Sequence, residues 1–305
     1  MDSWMVGWTM DFSVSSIQYQ ESRMEGEIMK LGYLTSYSEE EVKFAAEAGF
    51  KCLSLGAGPD SSLDAEKITS DEIKKIKEVF AENKLEVSAI CSYTYHPDPD
   101  KQKYFLRLLD LSRDLGVKVV STNAFGERSK GIEDNIPGYK KVWSKYARAA
   151  EERGLVIAVE NCPHAGGYPF TIGNLFYSPQ TWKIFFEALP SKAIGLEYDP
   201  SHLFWMGVDY IKAIYDFGER IYHVHAKDTE ILKEILAVKG ILGSGWWRYR
   251  IPGWGEIDWK KLFAALLDVG YEGNMVIEHE DPVFEKERHR EGLSLGLKYL
   301  SQFVY

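Results

Sequence analysis

The sequence predicts an α/β fold, a (β/α)8 barrel, and three observations carry that expectation. Eight short apolar runs recur along the 305 residues, and a helical pattern follows each of them. Most runs are unbroken rather than alternating, as parallel strands covered by helices require. No glycine-rich phosphate fingerprint follows the first run, which disfavours a doubly wound sheet. No Pro/Ser-rich linker divides the chain, so a single domain is expected, at a length that one α/β barrel commonly fills.

The elements follow in order. Residues 1–28 carry Trp4 and Trp8 but neither a basic n-region nor a long apolar core, so they read as an N-terminal extension, not a signal peptide. The barrel is assigned to 29–305. Strands are expected near 29–34, 51–56, 85–92, 117–123, 155–160, 194–198, 220–226 and 273–279. Between them, Gly49, Asn83, Gly116, Gly154, Gly218 and Gly270 stand where a helix C-cap takes left-handed backbone. Ser38 with Glu41 and Thr69 with Glu72 fit the capping box, and Ser178–Pro179 fits an N-cap followed by proline.

Composition narrows the function. Acidic residues outnumber basic ones by 46 to 36, for a net charge of −10, which argues against a nucleic-acid partner. No apolar run reaches the ~18 residues of a membrane helix, so no membrane partner is expected. Cys52, Cys91 and Cys162 are odd in number, widely spaced and close to apolar runs. They read as reduced core residues of a cytoplasmic protein.

In this architecture chemistry collects at the C-terminal strand ends. Strand five ends on Glu160-Asn161, and strand six on Glu197-Tyr198-Asp199-Pro200-Ser201-His202. Strand seven ends on His223-Val224-His225-Ala226-Lys227-Asp228, and strand eight on Glu278-His279-Glu280-Asp281. Alternation puts His223 and His225 on one face. Glu160, Asp199, His225 and Glu278 can then converge near the barrel axis. Three carboxylates and one imidazole suit a divalent ion, with Mn2+ favoured and Mg2+, Co2+ or Zn2+ as alternatives. Without a cation, clustered buried carboxylates would be costly. His223 is expected one layer below His225, orienting a ligand. Lys227 and Asp228 are candidates for supporting a ligand or touching substrate.

The segments VEN at 159–161, DPSH at 199–202, HVHAKD at 223–228, RYRIPGWGEIDW at 248–259 and IEHED at 277–281 resemble the xylose-isomerase-like TIM-barrel superfamily. Within it the chain looks most like the sugar-phosphate isomerase/epimerase group, which includes the ketose 3-epimerases, and the resemblance spans about 29–303. It implies that Glu160, Asp199, His225 and Glu278 are the metal ligands and that Glu160 and Glu278 are the catalytic acid/base pair. It further implies that His202 contacts substrate, and that Arg250, with Arg248 as alternate, supplies another contact. The implied activity is an isomerase: proton abstraction next to a carbonyl, through an enediolate on the metal, giving sugar epimerisation or aldose–ketose isomerisation. The chemistry agrees, because a weakly acidic C–H needs a base and its enediolate a Lewis acid. Small sugars or sugar derivatives are the expected partners.

Some thirty residues separate His225 from the helix expected near Asp258, with Gly245-Trp246-Trp247-Arg248-Tyr249-Arg250 among them. A connection this long is usually functional. Its aromatics, Trp247 included, suit a lid on a sugar ring. They also suit a subunit interface, so a homo-oligomer, or a partner subunit, is expected. The main alternative activity is a lyase with the same metal and the same proton abstraction, either dehydrating a keto-inositol or cleaving a 3-oxo-glycoside or C-glycoside. A three-zinc endonuclease would need more histidines after His225, and none occurs between Thr229 and Ile257.

Overall fold

The computed structural model describes residues 29–166 and 171–304. The expectations for the extension 1–28 lie outside the described residues. Eight parallel strands close into one barrel: β1 (Leu31–Ser36), β2 (Cys52–Gly56), β3 (Glu86–Cys91), β4 (Val119–Thr122), β5 (Val156–Glu160), β6 (Ile194–Tyr198), β7 (Ile221–Ala226) and β10 (Met275–Ile277). Each neighbour in sequence is its neighbour in space, and β10 pairs with both β7 and β1 to complete the ring. Every expected strand is present, within about two residues of its expected start.

The helices are α1 (Glu39–Ala48), α2 (Ser70–Glu82), α3 (Pro99–Leu115), α4 (Ile136–Arg153), α5 (Pro179–Ala188), α6 (Pro200–Trp205), α7 (Tyr210–Phe217), α8 (Lys233–Lys239), α9 (Trp259–Asp268) and α10 (His289–Leu300). The apolar faces of α3, α4 and α5 pack against β4–β6. They enclose an aromatic layer in which Phe105, Trp143, Tyr146, Phe176, Trp182 and Phe185 are all buried. Area lost by rings of this size dominates the energetics of such a layer.

The caps divide instructively. Gly49, Gly116 and Gly154 adopt left-handed backbone as C-caps, and Gly270 does so one residue past the Val269 cap. Two expectations need correcting. Asn83 stays at φ −89°, and Lys84 takes the left-handed position instead, at φ 54°. Gly218 sits at φ −49°; a Cβ there would come within 2.6 Å of Val269 Cβ, so close packing of α7 against the end of α9 requires the glycine. Thr69 and Glu72 form the full reciprocal box. Ser38 caps Glu41 N–H, but the Glu41 carboxylate turns instead to Tyr33 and Arg290.

The long connection after β7 carries regular structure. It contains an antiparallel ribbon of β8 (Asp228–Ile231) and β9 (Trp247–Arg250), with α8 at its tip and the register Asp228↔Arg250, Thr229↔Tyr249, Glu230↔Arg248 and Ile231↔Trp247. The ribbon lies against α6 at the barrel mouth.

Candidate metal and catalytic site

Each side chain of the site is aimed by the last residue or two of a strand. Glu160 closes β5, with its carboxylate accepting from Asn123 Nδ2 at 3.0 Å from the end of β4. Asp199 follows β6 and N-caps α6: Oδ1 accepts from Ser201 N–H at 2.8 Å, which turns Oδ2 inward. Asn161 clamps the Asp199 backbone from both sides, accepting from its N–H at 2.7 Å and donating to its carbonyl at 2.8 Å. His225 lies inside β7, and Glu278 follows β10. The His225 Nδ1 is 3.0 Å from Glu278 Oε2 and 3.7 Å from Glu160 Oε1.

One donor atom from each of Glu160, Asp199, His225 and Glu278 lies within 4.8 Å of every other. The four residues expected to converge do so. Asp199 Oδ2 and both His225 nitrogens are buried and make no aligned hydrogen bond, only close charge contacts to Lys227, Glu278 and Glu197. Buried polar atoms are rarely left so, and three carboxylate oxygens with one imidazole nitrogen fit a divalent cation. The donor set therefore suits such an ion.

A second layer supports the first. His223 Nδ1 lies 2.9 Å from Glu197 Oε1, and its Nε2 lies 3.2 Å from the hydroxyls of both Ser54 and Ser88. Glu197 reaches on to His225 Nε2 at 3.1 Å and accepts from Tyr93 O–H at 2.9 Å. His223 thus touches His225 through a carboxylate, one layer below it. Burial alone would raise the Glu197 carboxyl, but His225 and His223 outweigh it and hold it at about 2. Sequence reasoning passed over Glu197, although it shares a strand face with Asp199 in the same i, i+2 relation as His223 and His225.

Lys227 is buried with its ammonium among acids: 2.6 Å from Glu278 Oε2, 3.1 Å from Asp199 Oδ2 and 3.1 Å from Glu280 Oε2. Burial disfavours its charge, but Asp199, Glu278 and Glu280 outweigh that and hold it firmly protonated. The Tyr249 ring covers the ammonium, with its centroid 4.5 Å from Nζ. The Tyr249 hydroxyl meets His202 Nδ1 at 2.8 Å. His202 in α6 points Nε2 into the site, 3.4 Å from Asp199 and 3.7 Å from Glu160. Burial and Lys227 would lower the His202 imidazole, but Asp199 and Cys162 prevail and lift it to about 10.

Three residues expected at the substrate make contacts with the scaffold. Asp228 is buried and accepts four bonds, from Thr229, Gly253 and Ile257 N–H and from Trp259 Nε1–H, at 2.8–3.0 Å. Each carboxylate oxygen accepts two of these bonds. A Cβ on Gly255 would lie 2.2 Å from Asp228 Oδ1, so that turn exists to wrap the carboxylate. Arg250 is buried between Asp281 at 2.8 Å and Glu230 at 2.7 Å, and Arg248 pairs with the same Glu230 at 2.7 Å. β8 and the segment after β10 bring these carboxylates to the guanidiniums, and the Arg248 side chain stays partly exposed. Trp247 remains on the rim, half-buried, stacked on Trp205 at 4.8 Å with the planes 8° apart.

Cys162 also needs correcting. It is only partly buried and lies on the loop after β5, beside the site rather than in the core. Burial would raise its thiol, but His202 and His164 more than offset this and lower it.

Comparison with known proteins bears on the family. The family model described as xylose isomerase-like TIM barrel matches residues 42–300. A Bacillus subtilis protein, YfiH, is 27% identical across 90% of this chain and 99% of its own length. An inosose dehydratase of Clostridium perfringens is 24% identical over 69% of this chain and 75% of that protein. Among solved structures, D-psicose 3-epimerase of Clostridium cellulolyticum H10 superposes with a TM-score of 0.67 at 14% identity, covering 90% of this chain and 99% of that one. With its closed eight-stranded barrel and a family match over most of its length, the chain belongs to the xylose isomerase-like TIM-barrel family.

Proposed function

We propose that the protein is a divalent-metal-dependent enzyme that moves a proton on the carbon next to a carbonyl of a sugar or sugar derivative, and that its primary activity is isomerisation or epimerisation. The observation that carries this reading is the placement of Glu160 and Glu278 in one buried donor set that also holds Asp199 and His225. A divalent ion there, with Mn2+ favoured by the oxygen-rich donors, would supply Lewis acidity toward adjacent carbonyl and hydroxyl oxygens. Glu160 and Glu278 come from strands three positions apart around the barrel, so one can take a proton while the other returns one. Asn123 orients the Glu160 carboxylate by its bond to one oxygen. Lys227 holds the Glu278 carboxylate and supplies a fixed positive charge beside any oxyanion formed. His202 presents Nε2 to the same space and is steadied by Tyr249. Trp247 and Trp205 form an aromatic rim suited to the apolar face of a sugar ring.

A second reading is a lyase, in which the same abstraction is followed by loss of water or an aglycone. The match to an inosose dehydratase favours it. One experiment tests both. The Mn2+-loaded protein is incubated in D2O with free ketoses, aldoses, keto-inositols and 3-oxo-glycosides, and deuterium incorporation is followed by NMR. Solvent deuterium at the carbon next to the carbonyl, suppressed by chelator and by Glu160→Gln or Glu278→Gln, is the expected result. New sugar isomers identify the primary activity and loss of water or aglycone the lyase. Full exchange in both glutamine variants would refute the acid/base pair.

A further inference from the structure

We propose that the protein holds a second, softer divalent ion of the zinc class beside the first, bound by Cys162, His164 and a Glu160 carboxylate shared between the two. The inference rests on the reading of Glu160 as a ligand of the first ion, but its own donors lie on a different segment. One ligand atom each from Glu160, Cys162 and His164 lies within 4.8 Å of the other two. A carboxylate oxygen, a thiolate and an imidazole are the mixed donors that zinc selects, whereas the neighbouring oxygen-rich set suits a harder ion. Three protein ligands leave one position for water or a substrate oxygen, as in catalytic rather than structural zinc sites.

Two buried nitrogens there make no aligned hydrogen bond. His164 Nε2 is buried without a hydrogen-bond partner. His202 is 1% exposed, and its Nε2 makes no aligned hydrogen bond, lying 3.4 Å from Asp199 Oδ2 and 3.7 Å from Glu160 Oε1. The first nitrogen would be a ligand; the second would hydrogen-bond whatever fills the open position.

The loop is built to hold these donors. Asn174 donates through Nδ2 to the carbonyls of both Glu160 and Cys162 at 2.7 Å. Its Oδ1 accepts from Ala124 and Phe176 N–H, which anchors the loop to the barrel. His164 is held in left-handed backbone at φ 46°, unusual for a residue with a Cβ, while Arg128 donates to its carbonyl at 3.1 Å and Phe125 packs on its ring.

Cobalt binding tests the proposal without recourse to activity. The full chain is stripped with chelator and titrated with Co2+, reading both stoichiometry and the near-ultraviolet charge-transfer band that a thiolate gives when it ligates cobalt. The wild type is expected to bind two equivalents and to show the band. Cys162→Ala should lose the band and one equivalent, and His164→Gln should lose one equivalent with the fold intact by circular dichroism. Asp199→Asn should lose the other equivalent and keep the band. A wild type that binds one equivalent without the band, or Cys162→Ala with wild-type stoichiometry, would overturn the second site while leaving the proposed function standing. An Asp199→Asn protein that binds as many ions as the wild type would instead count against the oxygen-rich site and leave the Cys162 site supported.

Discussion

Replacing Asp228 with asparagine separates its two roles, the substrate contact suggested by its place after HVHAK and the scaffold acceptor seen in the fold. Oδ1 accepts from Thr229 and Ile257 N–H, and Oδ2 from Gly253 N–H and Trp259 Nε1–H, all between 2.8 and 3.0 Å. An amide keeps one acceptor oxygen. Whichever way it turns, its NH2 faces two donors, and both lose their partner in a buried setting. An orphaned buried donor costs about 1–3 kcal/mol, so Asp228→Asn should lose about 2–6 kcal/mol. Burial raises the Asp228 carboxyl against the pull of its four donors, so part of that loss is recovered when the charge disappears, which favours the lower half of the range. Urea denaturation followed by tryptophan fluorescence measures it, with Trp259 as a local reporter. A loss below about 1 kcal/mol, together with a large rise in KM, would refute the scaffold role and return Asp228 to the substrate.

Other outcomes follow from neighbouring contacts. Arg250→Met leaves Asp281 and Glu230 without their shared cation and should cost about 3–5 kcal/mol in denaturant titration; unchanged stability with weakened substrate binding would place Arg250 at the substrate after all. Tyr249→Phe removes the hydroxyl from His202 and should lower kcat/KM by roughly tenfold at nearly unchanged Tm, as expected for one lost hydrogen bond. His96 is buried between Tyr146 and Thr122, and burial depresses it to about 3. The unfolded chain therefore binds the extra proton between about pH 3 and about pH 6.5, so stability rises with pH across that window and is lost as pH falls. His96→Gln should flatten this acid limb, by about 3–5 kcal/mol between its ends. An acid limb as steep as the wild type's in urea titrations at several pH values would assign the loss to other groups.

The barrel was legible because its information is local. Each strand is an apolar run and several helices end at a glycine in left-handed backbone, so β1–β7 and β10 could be placed without knowing their neighbours. Gly218 misled for the complementary reason: its requirement comes from Val269, more than fifty residues away. The four convergent donors were legible through alternation on known strands. The fate of Arg250 was not, since Glu230 and Asp281 become its partners only when the β8–β9 ribbon folds back over the mouth. Those strands are four residues long, polar, and separated by more than a dozen residues, so neither carries a periodic signal of its own. Cys162 was misjudged because its apolar surroundings in sequence belong to β5, which ends two residues earlier.

The ribbon after β7 is fastened at its root and free at its tip. Asp228 and the Arg250–Asp281 pair fix where it leaves and rejoins the barrel, while Val238, Ile241 and Leu242 at the far end stand exposed. A part with that division tolerates experiment at one end and forbids it at the other. Exchanges around α8 are therefore expected to leave unchanged the register that delivers Tyr249 to His202 and Lys227, which the Tyr249-dependent activity of such variants would check. Lineages sharing this barrel could thus trade the outer half of the ribbon to suit new molecules while the proton-handling mouth beneath stays as it was.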